Sequence, residues 1–159
     1  MTSATAIDIE IRRTNADDAE ALEALMAEMD DDAAPAELSH GARMRTVLAA
    51  MAHYPQFHVY LALEQGVPVA SFSLLIFSSP AHQGAHQALL DAVVVTRARR
   101  GAGIGEAMIQ HALAIATEAG CYKMMLSSNL KRMDAHRFYE RMGFSQHGIS
   151  LATHLPHES

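Results

Sequence analysis

From Asp91 the chain reads Asp91-Ala92-Val93-Val94-Val95, then Thr96-Arg97-Ala98-Arg99-Arg100-Gly101-Ala102-Gly103-Ile104-Gly105, then an apolar stripe of helical spacing to Ala119. The branched run predicts a strand. Glycine at alternate positions lets the backbone turn sharply and approach closely whatever it faces. The stripe predicts a helix from Ile104 to Ala119, closed by Gly120. A strand, a glycine segment and a helix in succession constrain the chain to a sheet with at least one helix packed on it.

The flanking residues decide which kind of sheet. Ile7, Ile9 and Ile11 alternate with Asp8, Glu10 and Arg12, the period of a half-buried strand. Asn15 stands as an N-cap before ADDAEALEALMAEM, where Ala19, Leu22, Leu25, Met26 and Met29 recur at helical spacing. Pro35 and Gly41 interrupt, and Met44, Val47, Leu48 and Met51 predict a second helix that ends before Pro55. From Phe57 to Phe77 two apolar runs flank Gln65-Gly66, the signature of a tight turn between antiparallel strands. After the long helix come a short strand in KMMLSS, a helix around Ala135 to Met142 ended by Gly143, and closing strands from Phe144 to His154. The predicted order is β-α-α-β-β-β-α-β-α-β-β. Three strands in a row are incompatible with strict β/α alternation, so the expected class is α+β: a mixed, largely antiparallel sheet flanked by helices. The 159 residues, half of them hydrophobic, suit a single domain over 1–159.

A net charge of -6 argues against nucleic acid or an acidic membrane surface as partner, so any anion site has to be local. Cys121 is the only cysteine and excludes an internal disulfide; burial as an inert thiol is expected. The N-terminal residues lack the pattern of a secretory signal and no apolar run approaches a membrane span, which leads us to expect a cytoplasmic protein.

Exposed amides at a helix start carry partial positive charge, and Arg97, Arg99 and Arg100 bring three of the twelve basic residues to this point of an acidic chain. The segment therefore reads either as a cradle for a pyrophosphate or as a solvated glycine-rich turn. A Walker loop is excluded because Glu106-Ala107 follow Gly105. A dinucleotide fingerprint is excluded because Leu126-Ser127-Ser128 stand where its acidic residue belongs.

VVVTRARRGAGIGEAMI resembles the acetyl-CoA-binding motif of the GNAT superfamily of N-acetyltransferases, through Arg100, Gly103 and Gly105. Ser128-Asn129 and the run Ala135 to Phe144, with Tyr139 before Gly143-Phe144, resemble the superfamily's second signature. The resemblance implies that acetyl-CoA is the acetyl donor, without a metal. It implies that the main chain of Val93, Val94 and Val95 pairs with the pantetheine arm, and that Arg100, Gly101, Ala102, Gly103, Ile104 and Gly105 hold the pyrophosphate. Asn129 matches a pantetheine contact, and Tyr139 matches a tyrosine that protonates the departing thiolate. Asp91-Ala92 departs from the Glu followed by Asn or Asp of similar chains, which shortens the expected base by one methylene.

Several residues admit a second role. Tyr139, beside Phe138, Met142 and Phe144, fits packing as well as acid catalysis, and Asp91 fits a solvated strand end as well as a base acting through water. The ten histidines come without acidic or cysteine partners at ligand spacing, so no metal site is assigned. Asp30, Asp31 and Asp32 form a solvated charge run or a lure for a cationic acceptor. The implied function is transfer of an acetyl group to a primary amine of a small molecule or peptide by direct attack in a ternary complex. The alternative is a non-catalytic acyl-CoA-binding regulatory module on the same fold. A homodimer is compatible with a chain of this type, but no residue specifies one.

Overall fold

The computed structural model describes residues 7–29, 37–128 and 133–157. They group into two units, Met1–Leu126 and Ser127–Ser159. The first unit holds β1 (Ile9–Arg13), α1 (Ala19–Met26), α2 (Ala42–Met51), β2 (Phe57–Glu64), β3 (Val67–Ser78), β4 (His86–Val95), α3 (Ile104–Glu118) and β5 (Lys123–Leu126). The second holds α4 (Met133–Arg141).

The five strands form one sheet in the order β1-β2-β3-β4-β5, antiparallel at every junction except the parallel pair β4–β5 that α3 connects. This is the expected α+β sheet. At the β2–β3 turn Gln65 (φ 51°) and Gly66 (φ 78°) are both left-handed, as a two-residue turn matching strand twist requires.

Neighbouring residues on a strand face opposite sides of a sheet, so β2 serves two helices. Leu61 and Leu63 pack with Leu25 of α1 and Val94 of β4. Tyr60 stacks on Phe72 with centroids 4.9 Å apart and meets His111 of α3 at 6.1 Å. Thus α1 and α3 cover opposite faces. The buried residues of α3, Ile104, Met108, Ile109, Ala112 and Ala116, recur at the helical period along its inner side.

Entry into α1 is set by charge and capping. Asn15 caps a 3-10 turn over Ala16–Asp18, and its N–H donates to the Asp18 carboxylate at 2.8 Å. Arg12 donates to both oxygens of that carboxylate, at 2.8 and 2.9 Å. Downstream, the Glu23 carboxylate accepts from the Ser39 N–H, the Ser39 hydroxyl and the Gly41 N–H, which ties α1 to the approach to α2. These hydrogen bonds, the Ser39 N–H foremost, hold the Glu23 carboxyl below its ordinary range.

One expectation fails. The residues from Phe144 to His157 form no strand, although Ile149, Leu151 and Leu155 are 86%, 90% and 76% exposed and sit in a strand-like pattern. Alternation supplies a propensity, but strand backbone groups need a paired edge. Among the described residues of the second unit there is one helix and no strand, so that unit offers no such edge.

Hydrogen bonding from Arg12 lowers the Asp18 carboxyl below its usual value, and the Asn15 N–H acts in the same direction. A depressed carboxyl stabilises the fold above its unfolded value near 4, and that contribution fades as pH falls through the lower folded value. Asp18→Asn is therefore expected to cost about 2 kcal/mol near pH 7. In urea unfolding at several pH values, the gap to the parent should close below about pH 4. A gap that does not change with pH would remove the ion pair from this role.

Candidate cofactor and acyl-transfer site

The site begins with a break in pairing. Ser71 faces Val94 while Ser73 faces Asp91, so Ala92 and Val93 together oppose the single residue Phe72. This is a β-bulge, and Ala92 adopts φ 50° within it. Below the bulge β4 pairs with β5 from Gln87 to Leu90; above it no described strand pairs with β4 on that side. The Thr96 N–H donates to the Val69 carbonyl at 2.8 Å, which sets the parity of the ladder. Val94, two residues back, directs its N–H and C=O to β3, so those of Val93 and Val95 face the open edge. The Val94 side chain is buried in the Leu25 cluster. Of the three valines expected to pair with a pantetheine arm, Val93 and Val95 thus turn main-chain groups to the open edge, the Val95 carbonyl already accepting from Arg100 Nε, and Val94 anchors the strand.

The glycine segment continues from that edge. Gly101 (φ 81°) and Gly103 (φ 85°) are left-handed on either side of Ala102, a conformation that turns successive N–H groups to one side. Among the described residues, no backbone N–H from Gly101 to Glu106, across Ala102, Gly103, Ile104 and Gly105, donates to a protein acceptor. Helix donors without partners at an N-terminus form an anion site. An open strand edge leading into a row of unsatisfied amides fits the pantetheine arm and pyrophosphate of acetyl-CoA.

The arginines are engaged differently from the expectation that they add free charge. Arg99 grips the Glu64 carboxylate with two bonds of 2.7 Å. Arg100 donates from Nε to the Val95 carbonyl at 3.1 Å, tying the loop back to the strand edge. The Glu28 carboxylate accepts from the Thr96 hydroxyl at 2.9 Å and the Arg97 N–H at 3.1 Å. Two carboxylates thus offset the local charge, while the amides of the segment stay unpaired. Glu28 and Glu64 escaped sequence reasoning because no local spacing links residues so far apart in the chain. Gly103 also acts through packing: a Cβ there would lie 2.7 Å from Ile7 Cδ1, whereas at Gly101 it would meet nothing within 4 Å.

Asp91 is exposed and lies beside Ser73, directly across from it on β3. In the second unit, Gly143 (φ 96°) ends α4 with bonds from its own N–H to the Glu140 carbonyl and from the Phe144 N–H to the Tyr139 carbonyl. This is a Schellman closure. The Tyr139 ring meets Phe138 at 5.2 Å and Phe144 at 5.8 Å, so the Gly-Phe pair of the signature orients the tyrosine. Ser128 Oγ is buried without a hydrogen-bond partner among the described residues. Asn129 and Asp30, Asp31 and Asp32 lie outside the described residues. Burial pushes the Cys121 thiol up. No group of three or more metal-ligating side chains converges among the described residues. No described helix is long and apolar enough to cross a membrane.

The sequence profile of the acetyltransferase (GNAT) family matches residues 22–144. The chain belongs to this family. As a GNAT N-acetyltransferase it is an enzyme that uses acetyl-CoA, which sets aside the regulatory module that its sequence also allowed. It is 34% identical over 137 residues to an aminoalkylphosphonate N-acetyltransferase of Salmonella typhimurium, covering 86% of this chain and 85% of that one. It is 38% identical over 79 residues to a glucosamine 6-phosphate N-acetyltransferase of Trypanosoma brucei brucei, about half of each chain. A putative acetyltransferase from Agrobacterium tumefaciens superposes with a TM-score of 0.82 at 29% identity, over 92% of this chain and 99% of that one.

The GNAT bulge carries a strained alanine. A left-handed non-glycine residue costs roughly 1–2 kcal/mol, against ~0.5–1 kcal/mol of extra chain entropy for glycine. Ala92→Gly is expected to stabilise the fold by about 0.5–1 kcal/mol, raising Tm by about 2 °C in a thermal melt. A lower Tm would show that Ala92 is held by packing that outweighs its backbone cost.

Proposed function

We propose that this N-acetyltransferase, acting as one domain, moves the acetyl group to the primary amine of a small molecule that also carries a phosphate or phosphonate. Direct attack occurs in a ternary complex. The reading rests on the open edge of Val93 and Val95 continuing into the unpaired amides of Gly101 to Glu106. The named acceptors of two relatives, an aminoalkylphosphonate and glucosamine 6-phosphate, both pair an amine with a phosphorus oxyanion. That favours a small phospho-amine over a peptide.

Acetyl-CoA supplies an activated thioester. The amine nitrogen forms a bond to the acetyl carbon as the carbon–sulfur bond breaks. Asp91 takes the proton of the ammonium through water, and the edge N–H groups near Val94 stabilise charge developing on the acetyl oxygen. Tyr139 gives its hydroxyl proton to the leaving thiolate, and no nucleophilic cysteine is needed.

The test is thiol release with acetyl-CoA and panels of phospho-amines, simple amines and peptides. Turnover should be highest with the phospho-amines; a preference for peptides would overturn the acceptor class. Tyr139→Phe is expected to lower kcat roughly 10²-fold with little change in acetyl-CoA affinity. Asp91→Asn should lower kcat/KM and regain much of it as rising pH supplies free amine. A parental pH profile in Asp91→Asn would place the base elsewhere.

A further inference from the structure

Ser71 and Ser73 stand two residues apart on β3, so both point to one face of the sheet. It is the face that α1 covers, because Ser71 pairs with Leu61 and Val94, which pack with Leu25. The Ser71 hydroxyl donates to the Tyr60 carbonyl at 2.8 Å and is accounted for within the sheet. The Ser73 hydroxyl has no hydrogen-bond partner among the described residues, although Ser73 is only 8% exposed. Burying a hydroxyl without a partner costs free energy, so a fold retains one chiefly where something other than the protein bonds to it.

The register names the neighbours of that hydroxyl. Ser73 pairs with Val59 on one side and Asp91 on the other, and paired residues point to the same face with Cβ atoms about 4.5–5.5 Å apart. Val59 offers no polar side-chain atom and Asp91 is exposed, so Ser73 stands beside a carboxylate that solvent reaches. No direct hydrogen bond joins the two side chains. A single water at that spacing can accept from the Ser73 hydroxyl and donate to the carboxylate. The pair is also the last regular one before the bulge, next to the edge that carries Val93. Other charged groups on this face lie elsewhere. Arg12, level with Leu61, is bonded to Asp18, and Lys123, level with Gln87, sits over the Tyr122 ring. Glu28 is bonded to Thr96 and Arg97, and Arg45 of α2 borders Val59, on the far side of Ser73 from Asp91.

We propose that Ser73 is a positioning residue whose hydroxyl seats the water through which Asp91 takes the proton of the acceptor ammonium. The Ser73 O–H donates to the water oxygen, and one water hydrogen donates to the Asp91 carboxylate. The ammonium passes a proton to that oxygen as the water passes one to Asp91, which leaves water, a protonated carboxyl and a neutral amine whose lone pair attacks the acetyl carbon. Ser73 forms and breaks no covalent bond, and Asp91, being exposed, returns its proton to solvent. This role rests on the reading of Asp91 as the base, and it lets an aspartate, one methylene shorter than glutamate, reach the amine by a fixed bridge.

The experiment measures kcat/KM against pH, with 2-aminoethylphosphonate as acceptor, for the full chain, Ser73→Ala, Ser73→Thr, Asp91→Asn and the double variant Ser73→Ala/Asp91→Asn. Ser73→Ala should lower kcat/KM near pH 7 roughly tenfold and regain most of it as rising pH supplies free amine, the profile expected of Asp91→Asn. Ser73→Thr, which keeps the hydroxyl, should restore part of the rate. In the Asp91→Asn background the loss of Ser73 should cost less than about twofold, because the water then serves no base. KM for acetyl-CoA and Tm should stay near the parent's, since the hydroxyl gives up no described partner. A parental pH profile in Ser73→Ala, or an equal loss with and without Asp91, would overturn the proposal. If Asp91→Asn itself keeps the parental profile, the base reading falls and takes this role with it; if only Ser73→Ala does, Ser73 alone falls. Should the parent turn over no phospho-amine, the acceptor class falls and propylamine serves for the series. Independently of any acceptor, a high-resolution crystal structure should show a water within about 3 Å of both Ser73 Oγ and an Asp91 carboxylate oxygen. A Ser73 hydroxyl without that water would contradict the assignment.

Discussion

The site depends on one extra residue in β4. By opposing Ala92 and Val93 to the single residue Phe72, the bulge changes the strand's course while β3 keeps its hold as far as Val95. Pairing with β5 ends at Leu90, so the strand keeps one satisfied side and gains one open side. In a sheet interior such an edge is a liability, because unpaired N–H and C=O groups attract any strand that can reach them. On the function proposed, that edge is where the donor lies, and its length is set by where the two parallel neighbours part. Because Ala92 takes a conformation costly for alanine, the surrounding ladder has to enforce it.

The glycine segment is held at both ends by acids distant in sequence. Glu28, just past α1, fixes Thr96 and Arg97, and Glu64, at the end of β2, fixes Arg99. The loop is thereby positioned by its own side chains while its amides remain unpaired. Such pre-organisation lowers the cost of ordering a binding loop when the ligand arrives. It also separates two roles that a basic loop can confuse: here Arg99 and Arg100 brace the loop, and the amides stay unpaired.

Much of this was legible in the chain. Alternation in Ile7 to Arg12, the Gln65-Gly66 turn and the stripe from Ile104 each rest on local patterns, and each element forms where its pattern lies. The strand-glycine-helix order from Val93 to Glu118 was legible for the same reason. The bulge was not legible, because nothing in Asp91-Ala92-Val93 announces a left-handed alanine. The partners of Arg99 and Arg97 were not legible either, since they depend on tertiary contacts across 35 and 69 residues. The expected closing strands show the converse error: Phe144 to His154 has the alternation of a strand, but among the described residues of its unit no neighbouring strand is present to pair with it.

The central claim is that the donor molecule completes the unpaired edge of β4 and the amides that follow it. Amide hydrogen exchange, measured residue by residue with and without coenzyme A, tests this directly. The amides of Val93, Val95 and Gly101 to Glu106 should exchange rapidly in the free protein and slow on binding, while Val94, already bonded to β3, should change little. Unchanged exchange at Val95 and the glycine segment under saturating coenzyme A, with protection appearing elsewhere, would contradict the account.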